Sequence, residues 1–231
     1  MDPLYQSLHT RITATTGVRP LNIAPQYRAV ESSSADNPML RMRIENDFWY
    51  DPGRFRKIHL ERAHVEPKDI DIIHMVAFPD ASVDMPILGI DVVSFGGRAT
   101  MCIADPSPSS TTRSLPIPYT YHMDTLWRQH DIETFVRMHY RDPPSWAEVI
   151  FSPWCVLVGA CDVDVFGAYA LDLLEWHMAY MPSASPDMKD TARAIARYSK
   201  EQRKNTKTQN MLGACFGPAF AKEYMTNVMF D

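Results

Sequence analysis

The stretch DIIHMVAFPDASVDMPILGIDVVSF, residues 71–95, decides the fold of this chain. It contains two runs of β-branched and other apolar residues, separated by a segment rich in Asp and Pro, which is typical of two strands joined by a turn. His74 interrupts the first run and Asp91 interrupts the second. Because alternate residues of a strand share one face, a hairpin with its loop at about residues 79–86 can place His74 directly opposite Asp91. A shift of one residue would break that pairing, so the register is itself a prediction.

Further strands are predicted on both sides of this hairpin, in residues 40–50 (LRMRIENDFWY), 52–65 (PGRFRKIHLERAHV) and 98–106 (RATMCIADP). Five strands at such close spacing leave no room for crossover helices, which indicates a mostly antiparallel sheet. Residues 31–38 (ESSSADNP) are interpreted as a turn-rich boundary, after a weakly periodic beginning of the chain. Residues 104–118, rich in Pro and Ser, are predicted to form a surface loop.

Helical periodicity dominates the second half of the chain. The predicted elements are a helix at 123–140, a further strand at 150–160, an amphipathic helix at 163–181, a helix at 185–216 that begins with a Ser185 cap and Pro186, and a short helix at 219–230. Gly217 and Pro218 separate the last two. We therefore expect one domain over residues 1–231, in which helices cover both faces of the sheet.

Composition excludes several classes of protein. The chain has 231 residues, 45% of them hydrophobic, and a net charge of −5, which argues against a nucleic-acid binder. No run approaches the roughly 18 apolar residues of a membrane span, and the first residues resemble no secretory signal. The four cysteines lack any CxxC spacing and are predicted to be reduced thiols of a cytosolic protein, rather than disulfides or a zinc site.

The negative charge is unevenly distributed. Residues 189–209 (KDTARAIARYSKEQRKNTKTQ) carry seven Lys or Arg and two Asp or Glu, a local charge of +5 in a chain whose total is −5. Such a basic segment is commonly a solvated helix face, and it can also attract an anionic ligand or an acidic partner.

His74, Asp91 and Glu61 are the main candidates for chemistry. A carboxylate facing a histidine in an enclosed pocket stabilises the imidazolium and makes the two groups titrate together, so that they can pass a proton to a bound molecule near neutral pH. Glu61 shares a strand face with Lys57 and His59, and it is predicted to join His74 and Asp91 as a third titratable group on one face of the sheet. A structural His–Asp hydrogen bond and a solvated sheet face explain the same pattern.

Other reactive residue types have weaker context. Ser107 has no GxSxG surroundings, and no metal-binding motif such as HExxH is present. His122, His130 and His139 lack the spacing of metal ligands, and His177 is interpreted as a helix-face histidine rather than a ligand.

Several ordered blocks stand out in the chain: FRKIHLERA, IIHMVAFP, MPILGIDVV and CIADPSP within residues 54–108, and QRKNTKTQNMLGACFG with YMTNVMFD within residues 198–231. Together these blocks resemble the ferredoxin-dependent bilin reductases. Residues around RDPPSWAEVIFSPWC resemble the family less closely. The likeness is strongest to the members that make phycocyanobilin.

The resemblance implies a three-layer α/β/α sandwich with a central, mostly antiparallel sheet, and biliverdin bound between the sheet and the C-terminal helices. Reduced ferredoxin, through its own [2Fe-2S] cluster, would supply electrons one at a time through bilin radicals, and no flavin, nicotinamide or metal would be bound. Asp91 and His74 correspond to the family's proton donors and Glu61 to its Glu, although one additional residue between Ala63 and His74 departs from the cyanobacterial pattern.

Substrate binding is implied for three more residues. Arg141 matches the family's propionate-binding Arg, with one extra residue before Trp146, while Lys207 and Asn205 match its Lys and Asn. This chain has His74, and it has Thr206 at the position where relatives that make phycoerythrobilin have Asp. Both features favour a four-electron reduction to phycocyanobilin. Reduction at the 15,16 methine bridge, to 15,16-dihydrobiliverdin or phycoerythrobilin, and a non-catalytic tetrapyrrole-binding protein are the alternatives.

The resemblance also implies partners and a place in the cell. An acidic ferredoxin would dock near the basic segment at 189–209, and neither nucleic acid nor a membrane would be a partner. We expect a monomer in the cytosol of a cyanobacterium or of a virus-infected host, with a mature plastid stroma as the other possibility.

Overall fold

One antiparallel sheet of eight strands organises the molecule. The computed structural model describes residues 2–32 and 39–231, so most of the boundary predicted at 31–38 lies outside the described residues. The strands are β1 (Arg19–Pro20), β2 (Ala29–Glu31), β3 (Arg41–Asp51), β4 (Phe55–Glu66), β5 (Ile70–Pro79), β6 (Ile87–Phe95), β7 (Arg98–Ser107) and β8 (Val156–Val158).

The strand order in the sheet is β1-β3-β4-β5-β6-β7-β8, with β2 also pairing with β3, and all of these pairs are antiparallel. The turn that joins β6 to β7 has glycines where positive φ is needed. Gly96 and Gly97 between β6 and β7 both have positive φ, as a tight two-residue hairpin turn demands. The resulting meander confirms the predicted sheet.

Helices cover both faces of this sheet. They are α1 (Asp2–Ala14), α2 (Ile117–Gln129), α3 (Ile132–His139), α4 (Ser145–Glu148), α5 (Val163–Ala179), α6 (Met188–Gln202), α7 (Thr206–Phe216) and α8 (Pro218–Tyr224), followed by a π-helical turn at Met225–Met229. Among these described helices, none combines the length and apolar character that a bilayer span requires.

Alternation along the strands divides the core into two layers. Ile58 and Leu60 of β4 pack with α1, α2, α3 and α5 on one face. Phe48, Val76 and Phe78 pack on the other face with residues of α6, α7, α8 and the π-helical turn. We call the second face the C-terminal face. The three-layer α/β/α sandwich expected from the sequence is therefore the observed architecture.

Several predicted boundaries were wrong. The predicted strand at 150–160 is reduced to β8, because the backbone N–H and Oγ of Ser152 both donate to Asp105 Oδ1 and turn the preceding residues away from the sheet. The predicted surface loop at 104–118 begins later, since Asp105 and Ser107 belong to β7 and are buried. The weakly periodic N-terminus contains α1, which buries Leu8 and Ile12.

Two predicted helices are each interrupted. The helix at 123–140 is divided between α2 and α3 at Asp131, whose φ is +47°. The helix at 185–216 is divided between α6 and α7, because Asn205 caps a new helix by accepting from the N–H groups of Lys207 and Thr208. The predicted Ser185 cap was also wrong, since the Asp187 carboxylate caps α6.

Candidate active site

Three titratable side chains lie side by side across adjacent strands. Glu61 of β4 pairs with His74 of β5, and His74 pairs with Asp91 of β6. The predicted hairpin register is therefore confirmed, and Glu61 joins the same line. All three lie on the C-terminal face, since they alternate with residues such as Leu60 and Met75 that pack on the other face. We call Glu61, His74 and Asp91 the titratable row.

His74 and Asp91 form a direct hydrogen bond, with Nδ1 of the ring 2.6 Å from Oδ1 of the carboxylate. Burial opposes a charge on His74, but the negative charge and hydrogen bond of Asp91, helped by Glu61, together raise the pKa of the imidazole above 6.5. The ring's Nε2 is buried and, among residues 2–32 and 39–231, has no hydrogen-bond partner. The hydrogen bond to Asp91 therefore favours the protonated imidazole.

Glu61 lies deeper than Asp91. Its side chain is only 5% exposed, whereas 26% of the Asp91 side chain is accessible. Burial raises the pKa of Glu61, while the neighbouring His74 and a hydrogen bond from Tyr224 partly offset that rise. The row is thus accessible mainly at Asp91, with two buried groups behind it.

A fixed hydrogen-bond network surrounds Glu61. Tyr224 Oη lies 2.7 Å from Glu61 Oε2 and 2.9 Å from Asn46 Oδ1, so its single proton can be donated to either oxygen. Asn46 donates its Nδ2–H to the carbonyl of Tyr27, which orients its Oδ1 inward. Asn46 and Tyr224 were not singled out from the sequence.

His59 is the second buried histidine of this face. Its Nε2 lies 2.7 Å from Asn46 Oδ1, and because that oxygen can only accept, Nε2 carries the proton. Burial, followed by the charges of His74 and Lys57, lowers the pKa of His59 well below 6.5. The lowered pKa favours a neutral His59 ring, which stacks on Phe48 with 4.2 Å between the ring centroids.

The C-terminal residues cover the row. The Phe230 ring lies edge-on to His74 with centroids 5.7 Å apart. Lys57 donates to the carbonyls of Val228 and Met229 and forms an ion pair with Asp231, although burial lowers the pKa of its ammonium to about 7. The final turn is thus anchored to the sheet by a buried lysine.

The three residues expected to bind substrate lie away from the row. Arg141 is at the edge of the sheet, where its guanidinium donates to the carbonyl of Thr100 in β7. Asn205 caps α7 with its side chain, and Lys207 is exposed in the first turn of that helix. Within the described residues, none of the three hydrogen-bonds to the titratable row.

A cleft of about 400 Å³ lies elsewhere, near one end of β3 and β4. Its lining includes Arg41, Arg62 and Glu45, and the last two form an ion pair with an N–O distance of 2.5 Å. Charged residues that neutralise one another are a poor match for an apolar ligand. We place the candidate site at the row, where buried titratable groups converge.

A family model described as ferredoxin-dependent bilin reductase matches residues 5–231 of the chain. The chain belongs to this family. As a ferredoxin-dependent bilin reductase it is an oxidoreductase. The resemblance found in the sequence blocks is therefore confirmed over almost the entire length.

Curated relatives of this bilin reductase include the phycocyanobilin:ferredoxin oxidoreductases of Trichodesmium erythraeum, 33% identical, and Prochlorococcus marinus, 29% identical. Both alignments cover all of this chain and 94% and 92% of the relatives, respectively. Tomato phytochromobilin synthase, solved in complex with biliverdin, shares the fold with a TM-score of 0.78, over 99% of this chain and 82% of that one, at 14% identity.

Proposed function

We propose that this bilin reductase converts biliverdin IXα to phycocyanobilin, with protons supplied by Asp91, His74 and Glu61. The observation that carries the proposal is the titratable row: three titratable side chains on adjacent strands, facing the C-terminal helices. An apolar tetrapyrrole needs an apolar wall, and its reduction needs acids placed within that wall. The surrounding C-terminal face has both.

Proton delivery follows from the geometry of the row. Asp91 is its accessible end and would contact the bilin, while His74 behind it carries the proton that their hydrogen bond stabilises. After an electron arrives, the bilin becomes more basic and Asp91 passes a proton to it, drawing on His74. Glu61, whose pKa is raised by burial, would hold a second proton for the vinyl group.

The protein's own contribution in this proposal is acid–base chemistry and binding. Four electrons from reduced ferredoxin, taken singly through bilin radicals and accompanied by four protons, convert biliverdin to phycocyanobilin. No bound cofactor is required, because the [2Fe-2S] cluster remains on the partner. Arg141 and Lys207 would bind the propionates through charge-assisted hydrogen bonds, with Asn205 beside Lys207.

The basic segment at 189–209 is the proposed ferredoxin-docking region. It spans α6 and the start of α7, where Lys189, Lys200 and Lys207 are exposed. Exposed positive charges speed the encounter with an acidic protein. A monomer in a cyanobacterial or virus-infected cytosol, or in a plastid stroma, would meet such a donor.

The choice of product rests on His74 and on the names of the curated relatives, which are phycocyanobilin:ferredoxin oxidoreductases. The direct test is an anaerobic reaction of the purified protein with biliverdin and a ferredoxin-reducing system, with products separated by chromatography. We expect phycocyanobilin. Accumulation of 15,16-dihydrobiliverdin or phycoerythrobilin would instead assign methine-bridge reduction.

A non-catalytic tetrapyrrole carrier would give a different result in the same experiment. Biliverdin would bind, and its absorption spectrum would remain unchanged after reduced ferredoxin is added. Because a carrier has no need of a paired imidazole and two carboxyl groups in a buried position, the row favours the enzyme.

A further inference from the structure

Two cysteines from distant parts of the chain meet beside the sheet. The Sγ atoms of Cys102 and Cys161 lie 3.5 Å apart, although 59 positions separate them in sequence. Cys102 belongs to β7 and is fully buried, whereas Cys161 is partly exposed and immediately precedes the cap of α5. Within the described chain, neither Cys155 nor Cys215 hydrogen-bonds to another cysteine.

The local backbone holds this pair in place. Cys102 is directly opposite Val158 of β8, and Cys161 follows Val158 by three residues. The N–H of Gly159 donates to the carbonyl of His139, which fixes the exit from β8. A disulfide bond of about 2.05 Å requires the sulfurs to approach by roughly 1.5 Å. Closure would draw on rotation of the Cys161 side chain, which is partly exposed.

The two thiols differ in reactivity. The hydrogen bond with Cys102 lowers the pKa of Cys161, which favours the nucleophilic thiolate. The same hydrogen bond, together with burial, raises the pKa of Cys102. A partly exposed thiol with a lowered pKa beside a buried thiol with a raised pKa is the arrangement expected of an attacking cysteine and its resolving partner.

We propose that Cys102 and Cys161 form a reversible disulfide when the protein meets hydrogen peroxide. The Cys161 thiolate attacks one peroxide oxygen, the O–O bond breaks, and hydroxide leaves, so that Cys161 becomes a sulfenic acid. The Cys102 sulfur then forms the S–S bond as the S–O bond breaks, and its proton leaves with the departing oxygen as water. Overall, two thiols and one peroxide give one disulfide and two waters; a dithiol reductant reverses the change.

The crosslink would connect β7 to the beginning of α5 behind the titratable row. Cys102 is adjacent to Ile103, which pairs with Asp91. The side chains of Cys102 and Ile103 point to opposite faces of the sheet, so the crosslink lies on the face away from the row. Closing a loop of this length restricts the unfolded chain, so the oxidised protein should melt about 5–10 °C higher than the reduced one. The inference does not depend on which bilin is bound or made.

The test oxidises the full-length protein with a small excess of hydrogen peroxide and counts thiols after denaturation. Tryptic peptide 142–189 contains both Cys155 and Cys161, so mapping by mass spectrometry uses the Cys155→Ser variant. In that variant we expect one linked pair of peptides, 99–113 with 142–189, and a fall from three free thiols to one. Dithiothreitol should restore all three.

Matched variants separate this crosslink from general oxidation. Cys215→Ser should still form the link and gain thermal stability on oxidation, whereas Cys161→Ser should do neither. Three remaining thiols in oxidised Cys155→Ser, a link that includes Cys215, or a Cys161 sulfinic acid in place of the disulfide would each overturn the proposal.

Discussion

His74 Nδ1 and Asp91 Oδ1 are 2.6 Å apart, on residues paired directly across two antiparallel strands. The strand pairing fixes both Cα positions, so the contact is set by the sheet rather than by a mobile loop. A second His–Asp pair occurs on β4 and β5, where His64 Nδ1 lies 2.8 Å from Asp71 Oδ1. That pair is partly exposed and lies outside the row, which makes it a matched control.

The stability contributed by His74 should depend on pH. Its folded-state pKa is raised above 6.5, so the contribution is fully present below pH 6.5 and is lost as pH rises through the folded-state pKa. We expect His74→Gln to cost about 1–3 kcal/mol at a pH near 6 and clearly less near pH 9, measured by urea unfolding. His64→Gln, at the half-exposed pair, should show a smaller change, and equal pH profiles for the two variants would contradict this.

Tyr224 positions Glu61 from the helical layer. Tyr224→Phe removes the hydroxyl that hydrogen-bonds to Glu61 and Asn46; Asn46 Oδ1 keeps its hydrogen bond from His59, whereas the buried Glu61 carboxyl loses its donor. We expect the free energy of unfolding to fall by about 1–3 kcal/mol, and the pKa of Glu61 to rise further. Chemical denaturation measures the first effect. Tyr27→Phe is the control, since the Tyr27 hydroxyl donates to Glu223 at the surface. If Tyr27→Phe lowered the free energy of unfolding as much as Tyr224→Phe does, burial of the Tyr224 hydrogen bond would not explain the loss.

Arg141 and Lys207 should act in binding rather than in chemistry. If they bind the propionates, Arg141→Gln and Lys207→Gln should each raise the Kd for biliverdin about tenfold or more, the loss expected for one charge-assisted hydrogen bond. The rate at saturating biliverdin should change little. Arg137→Gln, at an exposed site on α3, serves as the control. An unchanged Kd for both variants, read by absorbance titration, would exclude them from the substrate site.

Ferredoxin docking at the basic segment predicts a salt effect. Lys200→Glu reverses an exposed charge on α6 and should lower kcat/KM for ferredoxin several-fold at low salt. Raising the ionic strength should reduce the difference from wild type, because exposed charges are screened. Arg137→Glu makes the same charge change on the opposite helical layer. If it slows the reaction as much as Lys200→Glu does, net charge rather than docking is responsible.

Much of the sheet could be predicted because its information is local. Alternation with a period of two placed His74, Asp91 and Glu61 on one face, and the turn residues fixed the hairpin length. Asn46 and Tyr224 could not be found this way, since 178 positions separate them and only helix docking joins them. The interruption at Asn205 and the shortened strand at β8 depend on side-chain hydrogen bonds that periodicity does not register. In contrast, α1 had a signal, with Tyr5, Leu8 and Ile12 on one face, that was too short to be decisive.

The most direct test of the proposed role of the His74–Asp91 pair is a single-turnover reaction of Asp91→Asn with biliverdin and reduced ferredoxin, followed anaerobically by absorption and electron paramagnetic resonance. We expect the variant to bind biliverdin and accept an electron, and then to accumulate a bilin radical while product formation falls at least about 100-fold. Asp71→Asn should react like wild type. Formation of phycocyanobilin by Asp91→Asn at a rate near that of wild type would contradict the account.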